Sequence, residues 1–179
     1  MKGMWLGVDL GNARVGLALS DPERTLATPA GNIHVAGDYF QALDEVIGVI
    51  EDEEVTRVIV GLPLLMDGTD GPSAKKARRW VQQLTMRMAR YGMDSVPVEL
   101  HDERLTTVSA HRMLFEAGVG SRSHRPRVDQ QSAVVLLQAA LDDAARREQA
   151  AKPVPKPSQL RPHAASPAAM AHPIPRSDS

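Results

Sequence analysis

Cysteine is absent from the 179 residues of the chain, which excludes disulfides, thiolate metal sites and cysteine nucleophiles. Aromatic residues make up only 3% of the sequence, so aliphatic side chains and methionine must fill the core that a 42% hydrophobic content allows. Side chains on which the bases of a single strand could stack are correspondingly scarce.

Long apolar runs are also missing. No stretch of the sequence approaches the ~18 residues that a membrane-spanning helix requires. No charged segment followed by an apolar one, the mark of a secretory leader, opens the chain. We therefore expect a cytoplasmic protein without a membrane partner.

Charge is nearly balanced over the whole chain, with a net charge of −1, but it is unevenly distributed. Four of the 21 basic residues and one of the 22 acidic residues follow Glu148, which leaves 17 against 21 and a net charge of −4 before that point. A nucleic-acid binder with an acidic body has to concentrate its positive charge locally. Two stretches without acids do so, although solvated faces explain them equally well: Lys75, Lys76, Arg78, Arg79, Arg87 and Arg90, then Arg122, His124, Arg125 and Arg127.

Apolar periodicity predicts one α/β domain. We predict strands at 4–10, 15–20, 25–35, 56–63 and 96–103, and helices at 38–53, 73–91, 106–118 and 128–148. Asp38 and Ser73 are the expected N-caps of the first two helices, and Gly92 is the expected stop of the second. Three strands in meander order, followed by alternating helices and strands, give a mixed sheet flanked by helices.

A proline-rich tail follows this domain. Seven of the thirteen prolines lie between Pro153 and Pro175, among alanine, serine and histidine. Such a composition is typical of disordered segments. We therefore divide the chain into a folded domain at 1–148 and a disordered tail at 149–179.

Three carboxylates occupy unusual positions in this pattern. Asp9 stands in the first strand, "MWLGVDL", where an apolar residue is expected. Glu103 lies at the end of the last strand, in "VELHDER", and Asp129 directly precedes the apolar run of the final helix. Ligands of open α/β sheets bind outside the carboxyl ends of the strands, so charge at these points suggests a site.

Each carboxylate also has a structural explanation. Asp129 could be an N-cap, Glu103 could pair with Arg104 or a loop arginine, and Asp9 could form a buried salt bridge. A joint explanation is more economical, because carboxylates from two strands and a helix start can converge on Mg²⁺ or Mn²⁺. Two such ions can promote hydrolysis of a phosphodiester by water.

Four blocks of the sequence resemble the signature blocks of the YqgF/RuvX family in order and spacing. They are "GVDLGNARVGLALSD", "VGLPLLMDGTDG", "HDERLTTVSAHRML" and "VDQQSAVVLLQAALD", and the resemblance spans about Met4 to Asp143. Position by position, the acidic residues of the family fall on Asp9, Glu103 and Asp129. Two departures are Leu65, where asparagine is common, and Arg127, where lysine is usual.

The resemblance implies an RNase H-like fold with a five-stranded mixed sheet and a metal-dependent nuclease. The family is described as processing the 5′ end of pre-16S rRNA during ribosome biogenesis or, alternatively, as resolving Holliday junctions in DNA recombination. The expected partner is therefore structured RNA or branched DNA. A four-way junction would require two active sites and hence a symmetric homodimer.

Several basic residues are candidates for contacts with the nucleic acid. Arg14 and Arg104 could reach the scissile or neighbouring phosphates. A flexible clamp over the substrate is expected from Arg122, Arg125 and Arg127, and contacts with the flanking duplex from Lys75, Lys76, Arg78 and Arg79. Because aromatic platforms are scarce, we expect recognition by backbone shape more than by base sequence.

Two other classes of protein are compatible with parts of the pattern. "GVDLGNARVG" also resembles the first phosphate loop of actin-like and sugar-kinase ATPases, but those proteins need a second domain, for which this chain is too short. A nucleic-acid-binding module without catalysis is the other alternative. It would bind in a salt-sensitive manner, indifferent to Mg²⁺, and leave its substrate whole.

Overall fold

A five-stranded mixed sheet forms the centre of the molecule. The computed structural model describes residues 2–105 and 125–151, and for residues 105 and 125–130 it describes the backbone only. The strands run in the order β3-β2-β1-β4-β5, in which β1 to β3 form an antiparallel meander while β4 pairs parallel with both β1 and β5. They are β1 (Trp5–Leu10), β2 (Arg14–Ser20), β3 (Ala27–His34), β4 (Arg57–Leu62) and β5 (Val98–Asp102).

Three helices flank this sheet in the described part of the chain: α1 (Leu43–Asp52), α2 (Pro72–Arg90) and α3 (Arg125–Ala150). The predicted mixed sheet with helices on its faces is thus confirmed. The predicted helix at 106–118 lies outside the described residues, as does the tail beyond 151. None of the described helices is both long enough and apolar enough to cross a membrane.

The ends of the first two helices follow local chemistry. The Asp38 carboxylate accepts a hydrogen bond of 3.1 Å from the Phe40 N–H, but it caps the short 3₁₀ turn that leads into α1, and α1 itself has Ala42 as its N-cap instead of the predicted Asp38. The prediction of Ser73 as the cap of α2 is wrong, because Gly71 is the N-cap and Pro72 takes the first helical position, where its missing N–H costs nothing. The predicted stop at Gly92 is confirmed by a φ of +74°.

The two faces of the sheet differ in side-chain size. Leu6 and Val8 on β1, with Val58 and Val60 on β4, are buried against α1 and α2 around Trp80. The residues that alternate with them lie on the face toward α3 and include two glycines, Gly7 and Gly61. Trp5, Ala18, Ala27 and Ile59 pack there against Ala133, Leu137 and Ala140.

Gly7 brings α3 unusually close to the sheet. A Cβ atom on Gly7 would lie 2.8 Å from the Leu137 Cβ and 3.1 Å from the Ala133 carbonyl oxygen. Both are parts of the helix that cannot rotate away. The missing side chain therefore sets the distance between α3 and β1.

The edge of the sheet where β1 and β4 begin is held by ion pairs. Lys2 Nζ lies 2.9 Å from Glu148 near the end of α3, and Arg24 Nη2 lies 2.9 Å from the same carboxylate. These pairs join the segment before β1, the turn between β2 and β3, and the last turn of α3.

We predict that Gly7→Ala destabilises the protein by about 1–3 kcal/mol, because a methyl group would push α3 away from the sheet. The measurement is urea unfolding. The matched control is Gly48→Ala in α1, where a Cβ meets no atom within 4 Å and should be neutral or stabilising. Equal stability of Gly7→Ala and the unmodified protein would contradict this packing.

Candidate active site

Two of the predicted carboxylates meet at one edge of the sheet. β1, β4 and β5 are parallel, so Asp9 near the end of β1 and Glu103 directly after β5 lie at the same edge. Glu103 begins a 3₁₀ turn, Glu103–Leu105, one residue beyond the strand in which it was predicted. Both side chains are half-buried.

Gly61 provides the space in which they meet. Val8 pairs with Val60, so the next residues along the two strands, Asp9 and Gly61, are neighbours. A Cβ on Gly61 would lie 2.4 Å from Glu103 Oε1, which shows that the Glu103 carboxylate lies directly over this glycine. Gly7 lies against α3, and Asp9 is two residues farther along β1, so Asp9 is on the same face of the sheet. The Glu103 carboxylate lies over the neighbouring Gly61, on that face as well.

The electrostatics of Glu103 follow from this crowding. The pKa of Glu103 is raised to about 7. Burial of the carboxyl group is the largest cause, and the nearby carboxylates of Asp9 and Asp102 contribute to the same increase. Near neutral pH, the side chain therefore holds its proton part of the time. A cation between the carboxylates would favour the ionised form of both.

The third predicted carboxylate belongs to α3. This helix begins at Arg125 instead of Val128, so Asp129 is an internal helical residue and the N-cap alternative is wrong. Asp129 precedes Ala133, which lies against Gly7, by one turn. Later residues of α3, such as Ala140, pack with Trp5 at the start of β1, so the helix runs antiparallel to β1 and its first turns lie toward the Asp9 edge. The side chain of Asp129 itself is outside the described residues.

The donor atoms suit a hard divalent cation. Within residues 2–105 and 125–151, no group of three or more potential metal ligands comes together. The described part of the site contains two carboxylates, those of Asp9 and Glu103. Carboxylate oxygens are the ligands that Mg²⁺ and Mn²⁺ prefer. The raised pKa of Glu103 indicates a position where positive charge would be favourable. The residues present therefore fit such an ion.

Arg104 has a partner that the sequence did not identify. Its Nε and Nη2 donate hydrogen bonds of 3.0 and 2.6 Å to the two oxygens of Asp102, so Arg104 pairs with Asp102 rather than with Glu103. This bond lowers the pKa of Asp102. Nη1 reaches the Met66 carbonyl at 3.5 Å, at the limit of a hydrogen bond. Arg104 thus connects the end of β5 to the loop after β4.

The other predicted contacts with nucleic acid are dispersed. Gly16 of β2 pairs with Asp9, and Arg14 is two residues before Gly16. Arg14 therefore lies on the same face of the sheet as the carboxylates. Arg78 donates two hydrogen bonds to Asp70, and Lys76 lies 4.2 Å from the centre of the Tyr39 ring. Lys75 and Arg79 are exposed on α2. Arg122 and the side chains of Arg125 and Arg127 lie outside the described residues.

Two components of the site were missed by sequence reasoning. Gly61 makes room for Glu103. A glycine near the end of a predicted buried strand, in "VIVGLP", could have indicated such a close approach. Asp102 accepts hydrogen bonds from Arg104 and holds it in place. The sequence feature that could have indicated this pair is the second acid next to Glu103 in "VELHDER".

Comparison with known proteins agrees with this architecture. The chain matches the model of the RuvX family, described as Holliday junction resolvase, over residues 3–143. A protein of Bifidobacterium longum subsp. infantis named "Putative pre-16S rRNA nuclease" is 70% identical over 146 residues, which cover 78% of this chain and 97% of the relative. A relative of the same name from Rhodococcus opacus is 38% identical over 148 residues, covering 81% of this chain and 80% of its own.

Solved structures share the fold. RuvC of T. thermophilus in complex with a Holliday junction substrate has a TM-score of 0.54 at 16% identity, over 85% of this chain and 99% of its own. The yeast mitochondrial Holliday junction resolvase Ydc2 has a TM-score of 0.55 at 9% identity, over 83% and 81%. The fold is thus RNase H-like, as the resemblance implied.

We predict that Glu103→Gln flattens the pH dependence of stability in metal-free protein. The folded pKa is about 7 and the unfolded value about 4.5, so ionisation of Glu103 removes stability as the pH rises between these values. The free energy of unfolding of the variant should equal that of the unmodified protein at pH 4. At pH 8 it should be larger by about 1–2 kcal/mol, after allowance for solvent screening. Urea unfolding in excess EDTA measures this difference.

The control removes an exposed carboxylate in the turn between β2 and β3, in Glu23→Gln, and its unfolding is measured in the same way. A Glu103→Gln profile parallel to that of the unmodified protein from pH 4 to 8 would show that Glu103 does not titrate in this range.

Proposed function

The chain belongs to the RuvX family, and from this premise we propose that it is a metal-dependent nuclease that processes the 5′ end of pre-16S rRNA. The convergence of Asp9 and Glu103 over Gly61 is the observation that carries the proposal. Burial and the neighbouring Asp9 carboxylate disfavour the charged form of Glu103, and a cation-binding role would account for keeping the two acids together.

Asp9, Glu103 and Asp129 would hold the metal. A bound Mg²⁺ or Mn²⁺, in one or two copies, would supply Lewis-acid stabilisation of the phosphoryl oxygens and a more acidic water. Asp9 is placed centrally for this role, on the middle strand of the sheet and beside the glycine under Glu103. Asp129 would enter from the second turn of α3.

The remaining groups would bind and orient the substrate. Arg14 lies on the carboxylate face and is our candidate for a phosphate contact next to the cleaved bond. Water attacks the phosphorus, the bond to the leaving oxygen breaks, and no covalent enzyme intermediate is required. Arg122, Arg125 and Arg127 would contact phosphates farther along the strand, and each such contact would steepen the salt dependence of binding.

We propose RNA as the substrate because the curated relatives at 70% and 38% identity carry the rRNA nuclease name. The description of the matched family supports branched DNA as the second candidate. The two differ in assembly, since a junction requires a symmetric dimer with two active sites. We further propose that the cytoplasmic nuclease domain, residues 1–148, acts without the tail at 149–179.

We predict that Asp9→Asn abolishes cleavage of a precursor rRNA fragment while leaving the protein folded. Loss of the central carboxylate removes a metal ligand, so the rate should fall by about 10³-fold or more in Mg²⁺ or Mn²⁺. The measurement is a gel assay of 5′-labelled RNA, run in parallel with a synthetic four-way DNA junction. Asp52→Asn, at the exposed end of α1, is the matched control and should cleave normally.

Cleavage by purified Asp9→Asn at the normal rate would refute the metal-dependent nuclease. Binding that ignores Mg²⁺ and leaves both substrates intact would support a non-catalytic module instead. Cleavage of the junction alone would transfer the proposal to the second candidate.

We also predict that Gly61→Ala lowers the cleavage rate by about 10- to 100-fold. The new methyl group would displace the end of the Glu103 side chain, whose Oε1 lies 2.4 Å from the Cβ position. The side chain can rotate, so the free energy of unfolding should change by less than about 1 kcal/mol. Cleavage and urea unfolding measured together test this, and an unchanged rate would show that Glu103 need not lie over Gly61.

A further inference from the structure

The loop between β4 and α2 lies at the same edge of the sheet as Asp9 and Glu103. It follows β4 directly, and its Gly68 lies next to Arg104: a Cβ there would be 3.3 Å from Arg104 Nη1. Arg104 is the residue after Glu103 and also reaches the Met66 carbonyl. The loop is therefore a direct neighbour of the carboxylate site.

Its backbone is fixed by hydrogen bonds. Leu65 N–H donates to the Thr69 carbonyl at 3.0 Å, and Gly68 N–H donates to the Leu65 carbonyl at 2.8 Å. The Asp67 carboxylate accepts from both the N–H and the hydroxyl of Thr69, at 2.9 and 2.7 Å. Arg78 of α2 holds Asp70 from the other side. Such a network keeps the loop in one conformation instead of letting it collapse onto the protein surface.

This fixed loop presents two apolar side chains to solvent. Met66 is 94% exposed and Leu65 is 50% exposed. The other large exposed apolar residues of the described part, Leu26, Met86 and Tyr91, are single and belong to other segments. Two adjacent apolar side chains held outward beside a site indicate a contact surface, whereas single ones are ordinary.

We propose that Leu65 and Met66 pack against an unstacked nucleobase of the substrate next to the cleaved bond, an inference that rests on the proposed nuclease function. Phosphates would be attracted to cations, whereas an aliphatic chain and a thioether suit the face of a base. Arg104, which lies beside this loop, is already engaged by Asp102, so Leu65 and Met66 offer the substrate an apolar contact. Trp5, Trp80 and Tyr39 are buried, and the exposed Tyr91 follows the last residue of α2, at the opposite end of that helix from this loop.

The test uses 2-aminopurine, which fluoresces more strongly when it unstacks. It is placed in turn at each position within four nucleotides of the mapped cleavage site of the precursor rRNA fragment. Binding is measured with Asp9→Asn protein, and cleavage with protein that retains Asp9. The double variant Leu65→Ser with Met66→Ser is compared with Met86→Ser, a matched change of an exposed methionine on α2.

We expect fluorescence to rise at one or two positions with Asp9→Asn, and this rise to be lost with the double variant. The cleavage rate should fall on the order of tenfold for the double variant and remain unchanged for Met86→Ser. An undiminished fluorescence rise and cleavage rate in the double variant would overturn the inference while leaving the nuclease function intact. Absence of cleavage by the unmodified protein would instead refute the function itself.

Self-association is the competing role for the same side chains. If sedimentation shows a dimer that the double variant converts to a monomer, with the fluorescence signal unchanged per bound substrate, the base contact is wrong. A monomer in both proteins, together with the lost fluorescence rise, supports it.

Discussion

The burial of two neighbouring carboxylates is the constraint on which the candidate site depends. Asp9 and Glu103 are brought together by parallel pairing of β1, β4 and β5, and both are half-buried. Burial and the neighbouring negative charges raise the pKa of Glu103 to about 7, so the fold holds this group against its preference for water. Arg104, the residue after Glu103, is engaged by Asp102. The raised pKa of Glu103 thus indicates a position where positive charge would be favourable.

Glycine makes this arrangement sterically possible. Gly7 lets α3 approach β1, and Gly61 leaves the space in which the Glu103 carboxylate lies. Both face the α3 side of the sheet, whereas the opposite face carries the large aliphatic residues that pack around Trp80. The face that packs around Trp80 therefore contains the larger hydrophobic cluster. On the other face, glycines leave room for the backbone of α3 and for the Glu103 carboxylate. The division explains why a short sheet can carry a charged site without losing its core.

The sequence was sufficient for the features that depend on periodicity. Apolar runs and alternating apolar residues predicted the five strands that the described part of the chain contains, and the position of Asp9 within the first of them singled it out as a candidate site residue. Features that depend on contacts between distant segments were not predictable. Nothing local distinguishes Asp102 from Glu103 as the partner of Arg104, because the choice depends on which way each side chain leaves the end of β5. Likewise, Ser73 is a good capping residue by type, but Pro72 and Gly71 start α2 earlier.

The ion pairs of Glu148 with Lys2 and Arg24 have a practical consequence for handling the protein. They bring the beginning and the end of the described fold together at the edge where β1 starts, whereas Asp9 lies where β1 finishes. A fluorophore or fusion partner joined directly to residue 2 or to residue 151 would consequently be attached at the opposite end of β1 from Asp9. Because the two ends of the described fold lie close together, residues 2–151 are a good candidate for circular permutation, with new ends opened in an exposed turn.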